Sequence, residues 1–110
     1  MENLKPGNCI AHEELIQLIA ARQQQVKIID VRSKEEYDEC HIPGAINIDL
    51  LDIELSNKLF DKNDYLITAC GKGGGRSNQA AQKLEELGFK NSTWLCGGTF
   101  IWFENKKNIN

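Results

Sequence analysis

No C-x-x-C pair occurs in this sequence, and its only histidines are His12 and His41. The spacings of a structural zinc site are therefore missing. Cys9 and His12 with Cys40 and His41 match no standard ligand pattern, so no metal is expected. Apolar runs are too short for a bilayer-spanning helix, and residues 1–6, MENLKP, lack the apolar core of a signal peptide. A cytoplasmic protein with no membrane partner is expected. Charge of one sign is scarce as well: 13 Lys and Arg face 16 Asp and Glu, for a net charge of −3, which gives no case for a nucleic-acid partner. Any anionic ligand must be drawn by local cations. Without a secretion signal, Cys9, Cys40, Cys70 and Cys96 are expected as thiols rather than disulfides.

Residues 1–110 are read as one domain, long enough for a modest core. Residues 12–22 place Leu15, Ile16, Leu18, Ile19 and Ala20 on one helical face. The run VKIIDV at 26–31 suits a buried strand. Ser33 and Glu36 have capping-box spacing, which opens a short helix from about 34 to 40. Pro43 and Gly44 make a turn before a strand at 45–48. Leu51, Leu55 and Leu59 recur at every fourth position and predict a helix over 51–60. Strands follow at 65–69 and 92–95, around a helix carrying Ala80, Ala81, Leu84 and Leu87 that ends at Gly88. A terminal helix carries Phe100, Ile101 and Phe103. Strands alternating with helices predict an α/β fold with a mostly parallel sheet.

The stretch CGKGGGRS, residues 70–77, joins the strand at 65–69 to the next helix. In a parallel α/β sheet, ligands bind beyond the carboxyl ends of the strands. A helix N-terminus there offers unpaired N–H groups and partial positive charge. Gly71, Gly73, Gly74 and Gly75 permit the positive φ of an anion-binding nest, and Lys72 and Arg76 add formal charge. These surroundings favour thiolate and point to Cys70 as a nucleophile above an anion cup. The plainer reading, a core cysteine beside a flexible turn, does not account for four glycines and Arg76-Ser77 at this junction. Ser77 is placed to donate to the sulfur or to cap the helix.

Three segments together resemble the rhodanese family over nearly the whole chain. Asp30-Val31-Arg32, with Glu36-Tyr37 and His41-Ile42-Pro43-Gly44-Ala45, is similar to the family's first signature. Cys70 with Gly75-Arg76-Ser77 resembles its active-site loop, and Leu95-Cys96-Gly97-Gly98 with Trp102 its C-terminal signature. The resemblance implies a five-stranded, mainly parallel sheet flanked by helices on both faces. It also implies a sulfurtransferase in which Cys70 takes sulfur from thiosulfate or a similar anionic donor as a persulfide. Cyanide, a thiol or a sulfur-relay protein then accepts it, with no cofactor. Asp30 and Arg32 are implied as a structural pair supporting the loop.

Five residues separate Cys70 from Arg76, one more than in the family's usual Cys-x4-Arg loop. The longer loop resembles those of rhodanese-like dual-specificity phosphatases and arsenate reductases, so an oxyanion reaction is an alternative. A non-catalytic sulfur carrier or interaction module is another. Against the oxyanion reading, Ala69 stands where those phosphatases usually have His, and the loop has no acidic residue. His41 is expected to hydrogen-bond the turn at Pro43. Cys96 is read as packing near the loop, either as an apolar filler or as a resolving thiol, and Cys9 as a surface or packing residue.

Overall fold

The structure, a computed structural model, describes residues 4–72 and 74–107, with side chains as far as Glu104. In chain order the elements are α1 (His12–Arg22), β1 (Val26–Asp30), α2 (Lys34–Glu39), β2 (Ile46–Asn47), a 3-10 segment (Leu50–Leu55) running into α3 (Ser56–Leu59), β3 (Tyr65–Ala69), α4 (Gly74–Glu86), β4 (Asn91–Trp94) and α5 (Gly98–Lys107). The strands pair in parallel in the order β2-β1-β3-β4. The chain therefore leaves β1 toward β2 on one side and returns to β3 on the other. The crevice beyond the ends of β1 and β3 is the topological switch point, where parallel sheets bind ligands.

The sheet has four strands rather than five. The segment before α1 reaches the outer edge of β4 but makes a single parallel bridge, Ile10 to Leu95. Pro6 and Gly7 lie in a turn closed by Asn8 N–H donating to Lys5 O at 3.2 Å. α1 begins at His12, so little extended chain is left to pair.

Strand alternation divides the core between the two faces. Ile28, Ile67 and Ala69 meet Leu15 and Leu18 of α1 on one face, with Trp102 of α5 packed against them. Trp102 is thus a packing residue. On the other face Ile29, Leu66 and Cys70 meet Ala80 and Leu84 of α4, together with Ile53 and Phe89. The α1 stripe is narrower than its apolar spacing suggests, for Ile16 is 43% exposed.

Leu51, Leu55 and Leu59 do not form a buried face. The first part of their segment is 3-10, kinked at Asp52, and Ile53 and Ser56 are the buried residues. A three-residue turn brings positions three apart onto one face, which leaves the three leucines on the outside. Gly88, at φ +100°, closes α4 as expected, with Phe89 N–H donating to Leu84 O. No helix among the described residues is long and apolar enough to cross a membrane.

Cys9 and Cys96 form a disulfide, with Cα atoms 5.2 Å apart, which corrects the expectation of thiols at both. The bridge at Ile10 and Leu95 brings their neighbours together across 87 residues of sequence, a proximity no local pattern reveals. Closing so long a loop restricts the unfolded chain and contributes about 4.5 kcal/mol. Urea unfolding with and without reductant should show this loss. A midpoint that does not move would mean that the two sulfurs are not joined in solution.

Candidate active site

Cys70 follows the last residue of β3, and Asp30 ends β1, so both stand at the switch point. Alternation along β3 aims Cys70 toward α4, where it is 4% exposed. Its thiol donates to Ser77 Oγ at 3.4 Å. Once the proton is gone, the same geometry lets the Ser77 hydroxyl donate to the sulfur. Thr68 Oγ1 donates to Ser77 O at 2.7 Å and ties the start of α4 to β3.

The glycine-rich stretch is less of a loop than its composition implies. α4 already begins at Gly74, so Gly74, Gly75, Arg76 and Ser77 form its first turn. Ser77 is therefore inside the helix and buried against Cys70 rather than at the cap. Gly71, Gly74 and Gly75 do not have positive φ. Among the described residues the positive-φ positions are Gly44, Gly88, Gly97 and Gly98. The expected nest of left-handed glycines is thus not formed by these three, and Gly73 lies outside the described residues. Winding Gly74 and Gly75 into the helix pairs their carbonyls within it, while the N–H groups of this first turn have no intrahelical partner.

The loop is held from behind by α5. Thr99 N–H donates to Cys70 O at 2.7 Å and Phe100 N–H to Gly71 O at 3.0 Å. These donors belong to the first turn of α5, where N–H groups have no intrahelical partner. Gly97, at φ +78°, makes the reversal that places them, and a Cβ there would stand 2.6 Å from Ile101. Cys96 is occupied by Cys9 and is not a resolving thiol for Cys70 in this state.

Arg76 is engaged by Glu36. Its guanidinium forks onto Glu36, with Nη1 to Oε1 at 2.9 Å and Nη2 to Oε2 at 3.3 Å. Glu36 also closes the α2 capping box, accepting from Ser33 N–H while Glu36 N–H donates to Ser33 Oγ. Arg76, then the Ser33 N–H and hydroxyl that donate to its carboxylate, lower Glu36 to about 2. A carboxyl depressed in the fold contributes stability fully above its unfolded value near 4.5 and loses it as pH falls toward 2. An NMR titration should place the Glu36 midpoint near 2 and move it toward 4.5 in Arg76→Ala. A wild-type midpoint near 4.5 would show that the fork is not held in solution.

Asp30 and Arg32 form a pair, and both are nearly fully buried. Arg32 Nη2 donates to Asp30 Oδ2 at 2.7 Å and to Cys40 O at 2.7 Å, and Arg32 N–H donates to Asp30 Oδ1 at 3.0 Å. Asn47 Nδ2 clamps the same turn through Asp30 O and Arg32 O. Lys72 is exposed at the cleft rim. His41 Nδ1–H donates to Tyr37 O, 2.8 Å away, and the His41 ring stacks on the Tyr37 ring, rather than bonding the turn at Pro43.

An open cleft of about 600 Å³ joins Cys70, Gly71, Lys72, Gly74, Gly75 and Arg76 with Glu36 and Phe100. Sequence reasoning did not place the last two in the site. Glu36 was visible as a capping residue and Phe100 as a helical apolar residue. No local signal ties either to a loop that lies 40 positions from Glu36.

The arrangement suits covalent transfer through sulfur: a cysteine at the switch point, a hydroxyl on its sulfur, and a helix start and cations around the cleft. The chain is similar to known proteins in sequence and fold. The rhodanese-like domain family model matches residues 11–105. The putative sulfur carrier protein YrkF of Bacillus subtilis is 34% identical over 79 residues, 72% of this chain, which spans only 42% of that protein. The thiosulfate sulfurtransferase GlpE of Coxiella burnetii is 31% identical over 84% of both chains. The human single-domain sulfurtransferase TSTD1 superposes with a TM-score of 0.71 at 27% identity, covering 89% of this chain and 96% of the other. With the fold, the switch-point cysteine and these matches in agreement, the chain belongs to the rhodanese-like domain family.

Proposed function

We propose that the chain is a sulfurtransferase that carries sulfane sulfur on Cys70. The observation that carries this reading is the position of Cys70, at the end of β3 in the switch-point cleft with Ser77 Oγ 3.4 Å from its sulfur. The similarity to GlpE over most of both chains supports it. The Cys70 thiolate attacks the outer sulfur of thiosulfate, the donor S–S bond breaks, and its electron pair leaves with sulfite. Cys70 is left as a persulfide anion. Cyanide or a thiol then takes the outer sulfur and regenerates the thiolate. The Ser77 hydroxyl and the first turn of α4 stabilise the negative sulfur in both states.

A carrier role, with sulfur received from and passed to relay proteins, uses the same persulfide and is favoured by the similarity to YrkF. Oxyanion chemistry has less support: Arg76, its expected anion ligand, is forked onto Glu36.

The intact mass of the reduced protein after brief exposure to thiosulfate tests the proposal. One added sulfur atom, removed by cyanide, is expected. No addition from thiosulfate or from a small persulfide donor would overturn it.

A further inference from the structure

The cleft beside Cys70 has an uneven lining. Its charged walls are Glu36, Lys72 and Arg76, so one carboxylate offsets one of two cations. The offset is direct, because Arg76 presents both of its terminal nitrogens to Glu36. One net positive charge remains, and the Cys70 thiolate in its reacting form cancels that. An incoming dianion therefore meets no net attraction to offset the larger hydration it loses on entry, a loss that is smaller for a monoanion.

The remaining wall is aromatic. Phe100 is 47% exposed, although most apolar residues of comparable size here are covered. Its ring edge lies 3.5 Å from where a Cβ on Gly71 would stand, so it packs over the residue next to the nucleophile. Its backbone N–H is fixed on Gly71 O, which sets the ring at the mouth of the cleft. A half-exposed ring beside a reactive sulfur is a surface for the apolar body of a ligand.

From these two walls we infer that Glu36 and Phe100 set the donor class: the site selects a singly charged organic sulfane donor, one with an apolar body, over doubly charged thiosulfate. This rests on the sulfur-transfer reading and narrows it. With an aryl thiosulfonate, the Cys70 thiolate attacks the terminal sulfur and the S–S bond breaks. The electron pair departs on the sulfinate, and Cys70 is left as the same persulfide anion. Two single negative charges enter and two leave, so the step needs no proton or redox partner. The aryl ring rests against Phe100 while the terminal sulfur meets Cys70. Glu36 acts through Arg76 and is a positioning residue.

Benzenethiosulfonate and thiosulfate, each with cyanide as acceptor, are the probes. Wild-type protein should show a KM at least about tenfold lower for benzenethiosulfonate. Phe100→Ala should reduce the benzenethiosulfonate-to-thiosulfate ratio of kcat/KM by about tenfold, and Phe100→Tyr should restore it. Glu36→Gln keeps the capping box, because glutamine serves at that position. It should lower the thiosulfate KM by about fivefold with kcat within about twofold, and shift benzenethiosulfonate less. A ratio unmoved by either variant overturns that residue's part in selection. Persulfide formation with the ratio unmoved by both overturns the inference and leaves sulfur transfer standing. No persulfide from either probe overturns sulfur transfer itself, and the inference with it.

Discussion

Cys70→Ser is expected to lower sulfur transfer by roughly a thousandfold or more, because the covalent route needs a polarisable thiolate and a serine hydroxyl stays protonated at neutral pH. The fold should survive. The substituted hydroxyl faces Ser77 Oγ, which lies 3.4 Å from the present sulfur, and so keeps a partner in a buried position. A cost of about 1 kcal/mol, for placing an oxygen among Ile29, Leu66 and Leu84, is the expected scale. Peptide mapping of the sulfur adduct supplies the control. Cys40 is exposed and outside the disulfide, so it is the competing thiol. Persulfide on Cys40, with activity retained in Cys70→Ser, would remove Cys70 from the mechanism.

Arg32→Ala is expected to cost about 4 kcal/mol, because it strands the Asp30 carboxylate in a site that is 1% exposed. For a domain of this size such a loss lowers Tm by roughly 15 °C or more. The same variant removes the donor to Cys40 O, which holds the end of α2 against the turn after β1. Thermal unfolding of Arg32→Ala, Asp30→Asn and the double variant separates the two contributions. The double variant should be less destabilised than the sum of the singles, since neither charge is then left unpaired. Strict additivity would mean that the two side chains do not interact in solution. Val31, between them, donates its N–H to Ala69 O at 3.0 Å, so the pair sits one backbone bond from the residue that precedes Cys70. A folded variant with slow persulfide formation would extend its role from stability to the loop.

The site was legible in part because its chemistry is concentrated in one short stretch. Cys70, the glycines and Ser77 are neighbours in sequence, and a strand-to-helix junction places them at the sheet's carboxyl edge whatever the distant packing. The capping box at Ser33 and Glu36 and the stop at Gly88 were readable for the same reason: each is completed within a few residues. Glycine content was a poor guide to conformation. It marks where unusual φ is allowed, whereas helix hydrogen bonding drew Gly74 and Gly75 into α4. The leucines at 51, 55 and 59 misled in a similar way. Their spacing matches an α-helix, but the chain takes a 3-10 course there and buries Ile53 instead.

By itself, then, the sequence determined the alternation of strands and helices, the parallel sheet, and a cysteine placed just before a helix start. Those follow from periodicity and from groups that act on near neighbours. Tertiary structure decided the partners. It sent Arg76 to Glu36, set Phe100 over Gly71, used α5 to hold the Cys70 carbonyl, and joined Cys9 to Cys96. Each of these brings together residues at least 29 positions apart, and no local spacing encodes such a contact. It depends on how the sheet twists its crossovers over the switch point, which is settled only when the whole core packs.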